Sequence, residues 1–449
     1  MNNPANIGRY QFLTAASDDA LLSEAARSFS EIRESVESLA GNKREYYSLY
    51  DIPGIDRIVN ICHWGRSGSL LLASFLDNHD HVLMLPFHQG EKIYAFLSTY
   101  GHLPLWDQLI AYPTYARSLK GDSGDFFVKE NELGNFAIEP TDYYAAVCAM
   151  ADFHRGTLEP WMKSRVGFFR ALHVVYAVAL GRRPATARPI IVYAQHWPND
   201  ELAQCLVEDF PKAQFLHTVR DPLTAVGSWF DGNMDNYMYC YNERPEITPK
   251  YLDAATIAMV FLLTRDQGHP ALAEVTRALR FEDMHLDPEG VMRRVATWLN
   301  IPYSGRLLES SWNGNPYVVN IRGRPTCGSN PANAKRRTTY LGSLDQAICF
   351  ALFYRNFVAW GYDSPRSMQR RWYRVLLLGL ALLKPLNIEF LNARTAFKLN
   401  IAPALRRGRV WPASKAVLNL FVRRLRMMIL LGNVYLESMR GRRKIMRLI

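Results

Sequence analysis

The stretch IVNICHWGRSGSLLLASFLDNH, residues 58–79, decides how this chain is read. It opens on a short apolar run, passes through small residues around Arg66, and continues as an apolar pattern at helical spacing. A strand, a glycine turn and a helix in that order form a candidate anion site. The first N–H groups of a helix lack carbonyl partners, and the helix dipole adds positive potential there. The amides of Ser67, Gly68, Ser69 and Leu70 are the candidate donors, and Arg66 is the candidate cation. A ligand-free strand–turn–helix connection is the plainer alternative. The nucleoside-triphosphatase loop G-x-x-x-x-G-K-[ST] is a poor match, because its lysine follows the last glycine. Here Ser69 follows Gly68 directly, and the cation precedes the Ser-Gly pair.

The surrounding chain repeats the strand–helix alternation. Arg57–Cys62 and Val82–Leu85 read as strands, with a helix from Ser69 to Asp77 between them. Pro189–Ala194, Gln214–Val219 and Leu279–Phe281 read as further strands. Helices are expected over Asp200–Asp209, from Pro222 to Phe230, and over Pro288–Leu299. Such alternation predicts an α/β fold with a central, mainly parallel sheet flanked by helices. Ligands of such sheets bind beyond the carboxyl ends of the strands, where both Gly65–Ser69 and Arg220 fall. Residues 10–50 read as a helical lead-in, whereas 90–185 are helix-rich and aromatic without a clear period.

The chain has 449 residues, 49% hydrophobic and 21% charged, as expected of a folded protein. Its net charge of +11 is unevenly spread. Residues 366–449 hold 19 Lys and Arg against 2 acids, a net +17, whereas the preceding 365 residues carry a net −6. The expected division is a body over 1–365, with its lead-in over about 1–55, and a basic helical extension over 366–449. In KAVLNLFVRRLRMMILL, residues 415–431, Lys415, Asn419, Arg423 and Arg426 form a basic stripe on an otherwise apolar helix. That pattern fits a helix lying on an anionic membrane surface; packing on the body is the alternative. Nucleic acid is not expected as a partner, because the tail has no recognisable module and few aromatics.

No uninterrupted apolar stretch reaches roughly 18 residues, so a spanning helix is not expected. The first residues lack the basic flank and apolar core of a signal peptide. The six cysteines are scattered, without metal or disulfide spacing. The expected location is cytoplasmic, at the inner face of the membrane, and no metal is expected.

Residues 66–72 and 79–82 resemble the first signature of the sulfotransferase family: a strand, [KR]-[SG]-G-[ST], then an apolar helix ending near His-Pro-x-Val. Asp80 stands where the family has proline, and Leu70 where it is often polar. FLHTVRDPLTAVGSWF, residues 215–230, resembles the second signature, with Arg220, Pro222 and Ser228. RFEDMHLDPEGVMRRVATWLNIP, residues 280–302, is similar to a third segment. The resemblance implies 3′-phosphoadenosine 5′-phosphosulfate (PAPS) as donor and a P-loop-like sulfotransferase fold. It places Arg66 at the bridging oxygen of the phosphosulfate, with Ser67, Gly68, Ser69 and Leu70 around it, and Arg220 and Ser228 on the 3′-phosphate. An ion pair with Asp221 or Glu208 is the alternative reading of Arg220.

Arg322 and Arg324, in a late basic loop, are further candidates for the 3′-phosphate. Counting forward from Arg66 places His88 at the family's catalytic base, with Glu91 as the second candidate. A histidine suits the task with its ordinary pKa near 6.5. His196 takes the place of a family lysine and is the candidate for the acceptor side. The closer match is to the glycan-directed branch, so a carbohydrate or glycolipid hydroxyl is the expected acceptor. The alternatives are a phosphoryl-transferring nucleotide enzyme and a non-catalytic membrane-binding protein with a degenerate fold.

Overall fold

The structure is a computed structural model that describes residues 19–63, 68–85, 89–118, 127, 138–155, 159–196, 200–225, 228, 267–268, 272–321, 324–334, 341–440, 444–445 and 447–449. Five strands form the central sheet: β1 (Ile58–His63), β2 (Val82–Met84), β3 (Ile190–His196), β4 (Gln214–Val219) and β5 (Thr276–Arg280). Their order is β2-β3-β1-β4-β5. Strands β2, β3, β1 and β4 are mutually parallel, with Ile58 beside Ile191, His63 beside His196, Cys62 beside His217 and Val82 beside Ile190. β1 is central, and Ile58, Val59, Ile61 and Cys62 are all buried. A strand covered on both faces needs an unbroken apolar run, which is what 58–62 supplies.

The chain divides into two compact units, residues 1–63, 68–217 and 286–330 in the first and 64–67, 218–285 and 331–449 in the second. In the first, helices α1 (Ala20–Glu31), α2 (Arg33–Lys43), α3 (Ser69–Leu76), α4 (Gln89–Tyr100), α5 (Leu105–Ser118), α6 (Pro140–Phe153), α7 (Arg165–Ala179), α8 (Asp200–Asp209) and α9 (Pro288–Leu299) surround the strands. The lead-in helices pack α1 on α5 and α2 on α6. α7 is buried along almost its whole length, from Gly167 to Ala179.

Asp77, at the end of α3, fixes that helix in place. It is 3% exposed, pairs with Arg182 at 3.0 Å, and accepts from the Ser311 hydroxyl at 3.1 Å and the Gly314 amide at 2.9 Å. Arg182 also donates to the Asp77 carbonyl at 2.6 Å. Removing one partner of a buried, hydrogen-bonded pair leaves the other charge uncompensated. Asp77→Ala is expected to destabilise this unit by about 3–5 kcal/mol, read as a fall in the urea midpoint. An unchanged midpoint contradicts the clamp.

In the second unit, the Trp360 side chain is fully buried against Val219 of β4 and Ala278 of β5. The chain's end returns to this edge: the Ala278 amide donates to the Arg447 carbonyl at 2.8 Å, and the Ile449 amide donates to the Ala278 carbonyl at 2.9 Å. Helices α10 (Ser343–Leu352), α11 (Arg371–Leu383) and α13 (Val410–Arg440) pack around Ile348, Phe357, Leu377, Leu378, Ala381, Met427 and Leu431, and α12 (Asn387–Ala396) lies against α13. Arg424 of α13 ties them together, pairing with Glu389 at 2.7 Å and donating to the Ala381 and Leu382 carbonyls. Helices α11 and α13, within residues 366–449, thus have one side packed in this unit.

Candidate functional site

Because β1, β2 and β3 run parallel, their carboxyl ends share one edge of the sheet. After β1 comes Gly68, with φ +88°, a left-handed conformation that a β-carbon would strain. Its carbonyl accepts from the Leu72 amide at 3.1 Å, so Gly68 caps α3 and leaves the amides of Ser69 and Leu70 in the helix's first turn. Ser69 is buried, and Leu70 is half-buried. Leu72, Ala73, Phe75 and Leu76 anchor the helix in the core. Trp64, Gly65, Arg66 and Ser67 lie outside the described residues.

His79 of the same signature is structural. It is 2% exposed; its Nδ1 accepts from the His81 amide at 3.2 Å, so Nε2 carries the proton and donates to the Pro302 carbonyl at 2.9 Å. Burial lowers its pKa, keeping the ring neutral. The imidazole therefore joins the turn before β2 to residues following α9.

After β2, His88 lies outside the described residues, and Glu91 sits in the first turn of α4 by its backbone alone. His196 is the last residue of β3 and stands beside His63 in the register. Arg322 lies outside the described residues; Arg324 begins a short antiparallel pairing of Arg324–Cys327 with Val318–Ile321.

Arg220 directly follows β4 and is 8% exposed. Its guanidinium lies over the Phe281 ring, 4.3 Å from the centroid, a cation–π contact that holds the plane of the fork. Asp221 is engaged by its own helix: its carboxylate accepts from the Thr224 amide at 2.8 Å, and Pro222 follows as the first helical residue. Ser228 is helical and half-buried.

A second layer supports this turn. Glu282, 8% exposed, accepts from the Asp221 amide at 3.0 Å and from the Tyr362 hydroxyl at 2.6 Å. Burial raises its pKa, while the Tyr362 and Asp221 hydrogen bonds and the Arg220 charge pull it down. Burial, with Arg220 beside it, lowers His285 to about 4, so it is neutral at pH 7. The segment 280–302 pointed to this region, but not to the role of Glu282. Its partner Tyr362 is 80 residues away, at a separation no local pattern carries. Glu282→Ala leaves two donors without their acceptor, a cost of about 1–3 kcal/mol each where such donors are buried. A lowered melting temperature is expected, and an unchanged one contradicts the support role.

Residues 141–305 match the model of the sulfotransferase family. The match spans Arg220, Ser228 and Glu282 and begins after the Gly68 loop. No curated protein matches the chain. Similar solved structures include a sulfotransferase domain of the curacin biosynthetic pathway (15% identity, 69% of this chain and 99% of that one, TM-score 0.32). Another is the sulfotransferase domain of the Synechococcus PCC 7002 olefin synthase (17% identity, 70% and 99%, TM-score 0.34). A third is sulfotransferase STF9 from Mycobacterium avium (12% identity, 76% and 83%, TM-score 0.33).

Proposed function

We propose, from the match of residues 141–305 to the sulfotransferase family model, that the chain moves a sulfuryl group from PAPS to a hydroxyl of a carbohydrate or glycolipid. The observation that carries this reading is Gly68: a left-handed residue five positions beyond the last residue of the central strand, opening a helix whose first residue is buried. Nothing but hydrogen stands on its α-carbon, so a phosphosulfate can approach the first amides of α3 closely.

In this reading the acceptor hydroxyl attacks sulfur, and its oxygen forms the new S–O bond. The bond from sulfur to the bridging phosphate oxygen breaks, leaving adenosine 3′,5′-bisphosphate. The hydroxyl proton passes to His88 or Glu91. Arg66 and the amides of residues 67–70 stabilise charge on the departing phosphate. Arg220 and Ser228, with Arg322 and Arg324, bind the 3′-phosphate, where a guanidinium can bond in a bidentate manner. His196 lines the acceptor side.

The test compares sulfated cell-envelope glycans and lipids by mass spectrometry in cells with and without the protein. Loss of one sulfated species on deletion supports the reading; an identical sulfate inventory opposes it.

A further inference from the structure

Helix α13 has 31 residues, so it is about 46 Å long at 1.5 Å per residue. One face is buried through Ala413, Met427 and Leu431. A second face carries Trp411, Leu418, Phe421, Leu425, Ile429 and Leu436, at spacings of seven, three, four, four and seven, and each is at least 50% exposed. An exposed helix face normally carries polar residues; this one is apolar along most of its length. Nearby in the same unit, Trp372, Leu376 and Leu383 of α11 are also at least 50% exposed.

The basic stripe occupies the third face, beside the apolar one. Lys415, Asn419 and Arg423 line an open recess of about 410 Å³, together with Asn400, Arg407 and Arg409. Four cationic side chains therefore converge on one concave surface next to a row of exposed large apolar residues.

We infer that this face of α13 lies in the surface of an anionic phospholipid membrane, with lipid headgroup phosphate in the basic recess. Phe421, Leu425 and Ile429 enter the boundary between headgroups and acyl chains, and Trp411 sits at headgroup level. Residues 366–449 carry a net +17, which attracts an anionic leaflet and opposes face-to-face pairing with a second copy. Among the described residues no helix is long and apolar enough to cross a membrane, so the helix lies along the surface. The inference does not depend on the chemistry proposed for the sheet edge.

The full chain is sedimented with vesicles of phosphatidylcholine alone and of phosphatidylcholine mixed with phosphatidylglycerol. Binding at least about tenfold tighter to the mixed vesicles is expected. Arg407→Ala, Arg409→Ala and Lys415→Ala together should weaken that binding about 100-fold, at about 1 kcal/mol per charge. Phe421→Gln, Leu425→Gln and Ile429→Gln, at exposed positions, should abolish binding while circular dichroism stays unchanged. Should the glutamine set misfold, the alanine set tests the same surface. Equal binding to both vesicles overturns the proposal. So does a concentration-dependent dimer of the parent chain that the glutamine set dissociates, which would assign the face to a second copy.

Discussion

Arg66→Ala is expected to lower kcat/KM for sulfuryl transfer by about 10²–10³, the cost of removing one donor from a site of developing charge. In the proposed chemistry negative charge grows on the bridging oxygen as the S–O bond breaks. Arg66 is the cation in the sequence between β1 and the Gly68 cap. The loss should fall on kcat, because the interaction strengthens in the transition state. Arg66→Lys keeps the charge and should retain most of the rate. Binding of adenosine 3′,5′-bisphosphate, measured by calorimetry, should change less than the rate does. Full turnover in Arg66→Ala contradicts the assignment.

Arg220→Ala is expected to weaken donor binding by 2–5 kcal/mol, about 30- to several thousand-fold in Kd. The reason lies in the way the turn is built. The Arg220 side chain is almost fully buried and stacked on Phe281, and the following Asp221 amide is held by Glu282. A guanidinium held in this way has little freedom left to lose when it meets a phosphate. Arg220→Lys should recover only part of the affinity, because an ammonium neither stacks on the ring in the same way nor bonds bidentately. Calorimetric titration with adenosine 3′,5′-bisphosphate reads both variants. Unchanged affinity in Arg220→Ala would remove this residue from the donor site.

The strands were readable because a parallel sheet covered on both faces demands continuous apolar runs. Gln214–Val219 is found at its expected limits, and Asp200–Asp209 and Pro288–Leu299 are helices at theirs. β5 runs from Thr276 to Arg280, earlier than the expected Leu279–Phe281. Its outer neighbour is the returning chain end near Arg447, which no local pattern announces. Residues 90–185 gave no period for a physical reason: α7 is buried on nearly every side, so apolar residues fill all faces and no amphipathic stripe remains.

The local conformations at Gly68 and at the Arg220–Pro222 turn were legible from the sequence. The distant partners that hold each of these segments were hidden. Asp77 is clamped by Ser311 and Gly314, and Glu282 is bonded by Tyr362, across more than 200 and about 80 residues. The stripe on α13 was visible, but the exposed apolar face beside it emerges only once Met427 and Leu431 are seen to define the buried side. His88, Arg66, Ser67 and Arg322 lie outside the described residues, so their roles rest on sequence.

Transfer from a labelled donor distinguishes sulfuryl from phosphoryl chemistry. The purified full chain is incubated with ³⁵S-labelled PAPS, and separately with γ-³²P-labelled ATP, over a cell-envelope extract, with magnesium or with a chelator. Sulfuryl transfer predicts ³⁵S in an envelope glycan or lipid whether or not magnesium is present, and no ³²P. Label arriving only from ATP, and only with magnesium, would contradict it.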